Sequence, residues 1–479
     1  MKHVLAFGTG GAVTALRYYF STDHQYACTI ISEVPSDEAG RQALINNAQL
    51  VISMVDAEQQ QWIAQDCIQC GRHLVSPAGI NEKIMNLRPQ VENSNMLFLY
   101  EMGFDPGLDH MSALHCINRL RLQGAHIRSV YSHSGRLVLP EHDNNPWHCK
   151  TDNAHQLINT GKAGAVYKER DRVHQLKYEE IFNASRLIEF PATGFLSWYP
   201  VADSMGYIPL YGLNDVETFI RTNLQHPDFI YGWKNVIDLK LTSEQSMYET
   251  DGMTLADFFR VHFDKHGFSG WLEQKMVERF SQTKQILEKL MQFMEVEQAA
   301  LEGGHGSPDN ILMVDEKGKL ENIDLGEVKD KAAAMVAYKM HEANLTLKQL
   351  FFLGMDDQQT VINKGKCSAA GVLQFALQQK LSLQPHEHDM ALMMHEIEYE
   401  LQGERSVMQS NLLLRGTDHY LAHEMVTGLT LGIAAKLILE GQLRLKGLHI
   451  PVLPEIYEPV LNELRRNGVL FMEEQRRVR

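Results

Sequence analysis

The chain opens on a short apolar run, His3 to Phe7, which breaks into Gly8-Thr9-Gly10-Gly11 and passes into Ala12 to Phe20. A glycine turn between a first strand and a first helix constrains the fold more than any other feature. It brings backbone N–H groups close to a diphosphate, and the helix N-terminus adds partial positive charge. The same rhythm continues along the first hundred residues. Tyr26 to Ile31 reads as a buried strand, Ser36 to Asn46 as a helix and Leu50 to Val55 as an apolar strand; a helix through Trp62 leads to His73–Ser76, and Met96–Glu101 follows. Strands alternating with helices predict βαβ units, a parallel sheet and right-handed crossovers.

Within the turn, Gly8 and Gly10 fit a dinucleotide fingerprint, whereas Val13 stands at its third glycine. An acidic residue about 20 positions on, at the end of the second strand, should bind ribose hydroxyls. Glu33, after Ser32, meets that requirement and would repel a 2′-phosphate, so NAD is expected rather than NADP. The expected cofactor cleft runs over Gly8, Thr9, Gly10, Gly11, Ala12, Val13, Ser32 and Glu33, the strand end Ser53-Met54-Val55, and Phe104 and Pro106.

From about Gly124 the rhythm changes. His126–Ser134, Leu187–Glu189 and Val236–Leu241 read as strands of a second, mixed α+β unit. Asp251 to Lys380 reads as mostly helical, with amphipathic runs over Leu272–Leu301, Val328–Ala343 and Leu345–Leu353, and Gly303–Asn310 as a loop. Beyond Pro385, Met390–Leu401 and Ser406–Leu414 alternate like paired strands, and Ala422–Glu440 reads as a long helix. The expected domains are 1–123, then 124–250 with 384–479, and 251–383 as an insert. The last helices are free to pack back on the first domain.

A formal charge of −15 argues against a nucleic-acid partner, which needs clustered Lys and Arg. The N-terminus reads as a strand and not a signal peptide, and no run of about 18 consecutive apolar residues predicts a membrane span. Six scattered cysteines imply a reduced, cytoplasmic protein. Cys67 and Cys70 form a C-x-x-C at a helix end, open to packing, redox or metal readings. No second pair completes a zinc site, so no metal is expected. The His386-Glu387-His388-Asp389 cluster reads as a solvated loop, and Met276, Met291, Met294 and Met393-Met394 as packing residues.

The segment Glu101-Met102-Gly103-Phe104-Asp105-Pro106-Gly107-Leu108-Asp109-His110-Met111 carries the chemistry. It starts where a strand ends, at the edge where open α/β sheets bind ligands. Pro106 keeps Asp105 out of the helical region, and Asp109 suits the N-cap of the helix that follows. A carboxylate at the strand tip, Asp105, faces the cofactor cleft.

This segment resembles the E-x-G-x-D-P-G-x-D-H-M stretch of the saccharopine dehydrogenase family. The similarity extends to Ser134-Gly135, Pro140-Glu141-His142, Asn144-Asn145-Pro146, Lys150, Tyr199-Pro200, Asp203-Ser204, Tyr211-Gly212 and Thr218 to Arg221. It resumes at Gly428 to Ala435, Lys446-Gly447-Leu448 and Glu455-Ile456-Tyr457. The resemblance implies an N-terminal Rossmann-type parallel sheet, a discontinuous α+β substrate and dimerisation domain, a helical insert and a homodimer. It implies nicotinamide-dependent oxidation of the secondary amine saccharopine to glutamate and aminoadipate semialdehyde, or the reverse condensation. Asp105 and Lys150 are the candidates for proton transfer, and Glu101, Asp105, Ala78, Gly79, Arg136, Asp203 and Ser204 for substrate contact.

Three departures bear on the substrate. Ala78-Gly79 stands where the family carries Ser-Tyr or Thr-Tyr, and Val201-Ala202-Asp203-Ser204 where it carries Asn-Arg-Asp-Ser. Loss of a bidentate arginine costs about 2–5 kcal/mol unless another cation replaces it. Arg136, at the second position of a family Gly-Gly pair, is a candidate replacement or a solvated loop residue. A dehydrogenase of another amino-acid-derived secondary amine, of opine or carboxyspermidine type, and a non-catalytic binding protein therefore stand as alternatives.

Overall fold

The structure is a computed structural model, and it describes residues 1–271, 273, 274, 277, 310–314, 320–324, 344–384 and 386–477. The N-terminal part runs β1 (Lys2–Gly8), α1 (Gly11–Ser21), β2 (Tyr26–Ile31), α2 (Glu38–Asn46), β3 (Leu50–Met54), α3 (Ala57–Cys70), β4 (His73–Val75) and β5 (Leu97–Leu99). Val4 to Phe7 and Leu50 to Ile52 are buried, as expected of central parallel strands covered on both faces. Asp37 and Asp56 cap α2 and α3 through their side chains, and α3 stops at Gly71 in the left-handed conformation.

All neighbours in this sheet are parallel, in the order Gly447–His449, β5, β4, β3, β1, β2. Chain order reverses at β1, and ligands of such sheets bind beyond the carboxyl ends at that switch point. Gly8 ends β1 there with φ 145°, and a Cβ on it would lie 2.9 Å from both the Cβ and the carbonyl oxygen of Met54. Only glycine lets the two strand tips meet.

The second body is a ten-stranded mixed sheet. At its centre β6 (His126–Val138) lies parallel to the Thr218–Gln225 strand and antiparallel to Asp389–Leu401. Glu404–Arg415 and Met472–Arg477 follow outward. One sequence expectation changes here. Val236–Leu241, read as a strand, is instead the last residues of a helix, Pro227–Asp238, started by His226 and Pro227, and the turn that leaves it. Its buried Phe229, Ile230, Trp233, Val236 and Ile237 recur every three to four residues, a period that the last few positions alone do not display.

In the C-terminal part the last helices pack back on the first body, the arrangement the sequence left open. Asp389–Arg415 and Met472–Arg477 do join the large sheet, but the residues between them belong to the first body. The Ala422–Leu439 helix lies along α1, and Gly447–His449 adds a strand beside β5. Small residues set this contact. A Cβ on Gly428 would stand 2.4 Å from the Ala12 carbonyl oxygen, and one on Gly432 2.5 Å from the Tyr19 ring. Positions 428 and 432 therefore meet residues 12 and 19 in the same direction, so the two helices run parallel with their N-termini together. By length and composition the Ala422–Leu439 helix could cross a bilayer, but its apolar residues are spent on this packing and on the core.

Between the two segments of the second body, the described elements include the helices Leu255–His266 and Ala369–Lys380, a short ladder of Met247–Glu249 with Lys366–Ser368, and a hairpin of Asn310–Val314 with Leu320–Asp324. The hairpin adds strand to a region read as helical. The expected helices over 272–301 and 328–343, the 303–309 loop and Met276, Met291 and Met294 lie almost wholly outside the described residues. All six cysteines are free, and Cys67 is buried in α3, with its thiol pushed well above its ordinary value by burial.

Because the Gly428 contact is with backbone, Gly428→Ala should force α1 and its partner helix apart. The expected loss is about 1–3 kcal/mol of stability, measured as a lower midpoint of urea unfolding; an unchanged midpoint would contradict the packing.

Candidate active site

Beyond β5 the chain turns through Glu101, a non-glycine residue at φ 57°, and a cis Asp105–Pro106 bond into the Leu108–Leu122 helix. Asp109, expected at the N-cap, lies inside the first turn; Gly107 is the cap. The Asp109 carboxylate accepts the Gly107 N–H at 2.6 Å and an Arg221 N–H at 2.8 Å. The same Arg221 Nη2 donates to Asp105 at 2.6 Å, and the Ser134 hydroxyl donates to the other Asp105 oxygen. Tyr207 lies under the guanidinium with its ring centre 4.6 Å away. His110, fully buried, stacks on Tyr207, shares a 2.7 Å hydrogen bond with the Tyr211 hydroxyl, and brings Nε2 to 3.1 Å from Glu101 Oε2.

Two carboxylates on one guanidinium do not titrate alike. The protein around Asp105 and the charge of Asp109 raise its carboxyl above the ordinary range, against the pull of Arg221 and Ser134. Asp109 also suffers burial, but His110, Arg221 and the Gly107 N–H outweigh it and hold that carboxyl down. Asp109 is thus the fixed anion, and Asp105 is the member that exchanges a proton. Exposure divides them the same way: the Asp105 side chain is 24% exposed and that of Asp109 is 2%.

Asp105 opens on a cavity of about 230 Å³. Alternation along strands supplies two walls, Ser134 and Arg136 from β6, and Asn223 and Gln225 from the strand that carries Arg221. Lys150, Thr151 and Asn153 form a third, and His423 closes the side nearest the first sheet. Each lining lysine and arginine already has an anion. Lys150 pairs with Glu387, Arg136 pairs with Asp152 at 2.7 Å and Asp389 at 3.1 Å, and His423 lies 3.7 Å from Asp389. The His386–Asp389 cluster is therefore not a solvated loop. Glu387 and Asp389 are buried behind the pocket and neutralise cations from distant segments.

The structure brings Phe104, Asp105, Arg136 and Lys150 together around this cavity. Ala78 and Gly79 sit beside Glu101: the Ala78 carbonyl accepts the Glu101 N–H at 3.0 Å, and a Cβ on Gly79 would lie 3.8 Å from Glu101 Oε1. Asp203 is exposed and accepts the Met205 N–H within its own turn, whereas Ser204 is buried and accepts the Arg221 N–H. Sequence reading passed over Arg221 as a site residue. The period-two polar face Arg221, Asn223, Gln225 in an otherwise apolar strand is the signal that marks it.

On the cofactor side, Ser32 and Glu33 lie exposed at the end of β2, and Gly10 caps α1 with φ 92°. Val13 is buried in α1, Met54 abuts Gly8, and the Ser53 hydroxyl turns inward to Gln60. The ribose end fits a dinucleotide. The diphosphate end does not fit as it stands: the Gly11 N–H donates to Glu424 Oε1 at 3.0 Å, and a Cβ on Gly11 would lie 2.0 Å from Glu424 Oε2. Since His423 lines the pocket, one chain step joins the turn's occupant to the substrate side.

No metal was expected. Among the described residues, ligand atoms of His148, His226 and Asp228 lie within 4.8 Å of one another. His148 sits 2.6 Å from Asp143 and 3.4 Å from Asp228, and its hydrogen bonds to these two carboxylates push it up to about 9. As it stands, the cluster is an ion-pair network around His148.

Residues 103–469 match the model of the saccharopine dehydrogenase C-terminal domain. The chain belongs to the saccharopine dehydrogenase family. Within it, this family member is 22% identical to the Saccharomyces cerevisiae saccharopine dehydrogenase [NADP(+), L-glutamate-forming], over 92% of this chain and 87% of that one. It is 24% identical to the alpha-aminoadipic semialdehyde synthase of Arabidopsis thaliana, over 91% of this chain but 38% of the relative. The mouse mitochondrial synthase gives 23%, 98% and 47%. The chain thus spans less than half the length of these synthases. The apo yeast saccharopine dehydrogenase structure superposes with a TM-score of 0.79 at 18% identity, covering 99% of this chain and 100% of that one, so the fold is shared. The family implies a nicotinamide cofactor.

Arg221→Leu should leave Asp105 and Asp109 uncompensated and cost about 3–5 kcal/mol in urea unfolding. His148 offers a check on sign. Its raised value makes its ion pairs stabilising below the unfolded-state value of about 6.5, and that stabilisation is lost as pH rises through about 9. The stability gap between wild type and His148→Asn should be widest below pH ~6.5 and close toward the alkaline end.

Proposed function

We propose that this chain is a saccharopine dehydrogenase-like oxidoreductase of lysine metabolism, oxidising the CH–NH bond of saccharopine to give glutamate and aminoadipate semialdehyde. The observation that carries this reading is Asp105: a carboxyl with a raised proton affinity, at the tip of a parallel sheet, on the wall of a polar cavity. Oxidation of a secondary amine needs the nitrogen lone pair, so the ammonium must first lose its proton. Asp105 is placed to accept it, with Arg221 and Ser134 fixing both carboxylate oxygens. Hydride loss from the neutral amine leaves an iminium; once Asp105 has passed its proton to solvent through the open cavity, it can take a proton from the water that attacks the iminium carbon. In this reading Lys150 holds charge on the pocket wall through Glu387, and Asp105 moves the proton.

The hydride acceptor implied by the family is a nicotinamide dinucleotide. Glu33, exposed where a ribose 2′-oxygen would lie, favours NAD over NADP on electrostatic grounds; the yeast relative is named for NADP. A cytoplasmic homodimer belongs to the same reading, supported by the resemblance and the scattered cysteines. One observation favours a second substrate. The Arg136 and Lys150 cations each face a carboxylate of the protein, which leaves little uncompensated positive charge for several substrate carboxylates. An amino-acid-derived secondary amine with fewer carboxylates, of opine or carboxyspermidine type, suits these walls.

Reduced-cofactor absorbance tests the proposal. Saccharopine with NAD should give turnover; turnover only with another secondary amine selects the second reading, and none with any selects a binding protein. Asp105→Asn should lower kcat by about 10²–10⁴-fold. Activity of the wild type should fall as pH drops through the raised value of Asp105, above the ordinary carboxylate range, because the base must be deprotonated. Unimpaired turnover by the Asn variant would remove Asp105 from the chemistry.

A further inference from the structure

The amide that a dinucleotide diphosphate would need is already in use. Glu424 lies in the first turn of the Ala422–Leu439 helix, and its two carboxylate oxygens serve two helix starts. Oε1 accepts the Gly11 N–H at the head of α1 at 3.0 Å, and Oε2 accepts the Leu421 N–H at 3.2 Å. Because the helices run parallel, the positive ends of both backbone dipoles converge on this one anion. α1 has no side-chain cap of its own and no acidic residue in its first turn, so Glu424 from the far end of the sequence supplies both. Gly11 is shaped for that guest: a Cβ there would fall 2.0 Å from Oε2, and one on Gly10 3.7 Å from Oε1. The carboxylate thus occupies the space and the donor that the glycine turn offers to phosphate oxygens.

We propose that Glu424 is an internal competitor for the diphosphate subsite and sets the affinity of this chain for its dinucleotide, which enters only after the carboxylate has swung away. The proposal rests on the dinucleotide reading of the glycine turn. A glutamate and a diphosphate cannot share the Gly11 N–H, and their like charges repel at contact. The occupant also touches the other half of the site through its neighbour, since His423 lines the cavity that holds Asp105. Displacing Glu424 therefore disturbs the start of a helix that borders both subsites. A ligand that lacks a diphosphate has no quarrel with Glu424.

The experiment is calorimetric titration of the full chain and of Glu424→Gln and Glu424→Ala with NAD, ADP-ribose and adenosine. Glu424→Gln keeps the shape and one acceptor oxygen, for either the Leu421 or the Gly11 amide, while removing the charge, so it guards against a folding defect in Glu424→Ala; thermal melting of each variant checks this. Removing a charged acceptor should tighten NAD and ADP-ribose by roughly ten- to a hundred-fold, with Glu424→Gln between wild type and Glu424→Ala, and should leave adenosine unchanged. Equal NAD affinity in all three proteins overturns the competitor and leaves the dinucleotide reading standing. Absence of NAD and ADP-ribose binding in all three, with the melts unchanged, overturns the dinucleotide reading and the competitor with it.

Discussion

Arg221 is the residue on which the site depends. Its one Nη2 reaches Asp105 and Asp109 together, from a strand of the second sheet to a turn that leaves the first. A buried guanidinium would be costly alone, and so would two buried carboxylates; together they are tolerable. The balance is deliberately uneven, two anions against one cation, and the surplus falls on the less buried Asp105. The contact that docks the two sheets is thereby the contact that tunes the carboxyl facing the cavity. Ser204 accepts the Arg221 backbone N–H, and the Tyr207 ring lies against the guanidinium; neither lines the cavity.

The same principle of compensation runs around the cavity walls. Lys150 answers Glu387, and Arg136 is shared by Asp152 and Asp389. The walls offer amides and hydroxyls, with charges that are prearranged and nearly balanced. Such a surface discriminates by geometry and hydrogen-bond pattern more than by attraction for a strongly charged guest.

The first sheet was legible in the sequence because each of its central strands is covered on both faces and reads as an unbroken apolar run, with glycine at the turn that needs it. Asp105 was legible because Pro106 and Gly107 mark a turn at a strand end. What stayed hidden is what distant segments do to one another. Arg221 has its partners more than a hundred positions away, and Glu387 and Asp389 read as loop residues because the cations that neutralise them come from residues 150 and 136. Val236–Leu241 was misread for a local reason: too few residues to show a helical period. Glu424 follows a helix start whose cap is Leu421, not Ser, Thr or Asp, so nothing nearby announces that it serves a second helix four hundred positions upstream.

The return of the chain to the first sheet has a consequence for how the protein is made. β5 remains an open edge, and the apolar side of α1 remains uncovered, until Gly447–His449 and the Ala422–Leu439 helix have left the ribosome. A nascent first unit is thus an unfinished one, with a bare strand edge and an uncapped helix until several hundred further residues have been made. Its completion is vectorial and late, and the stretch of translation between the glycine turn and its final partners is the interval in which the chain most needs shielding from other copies of itself.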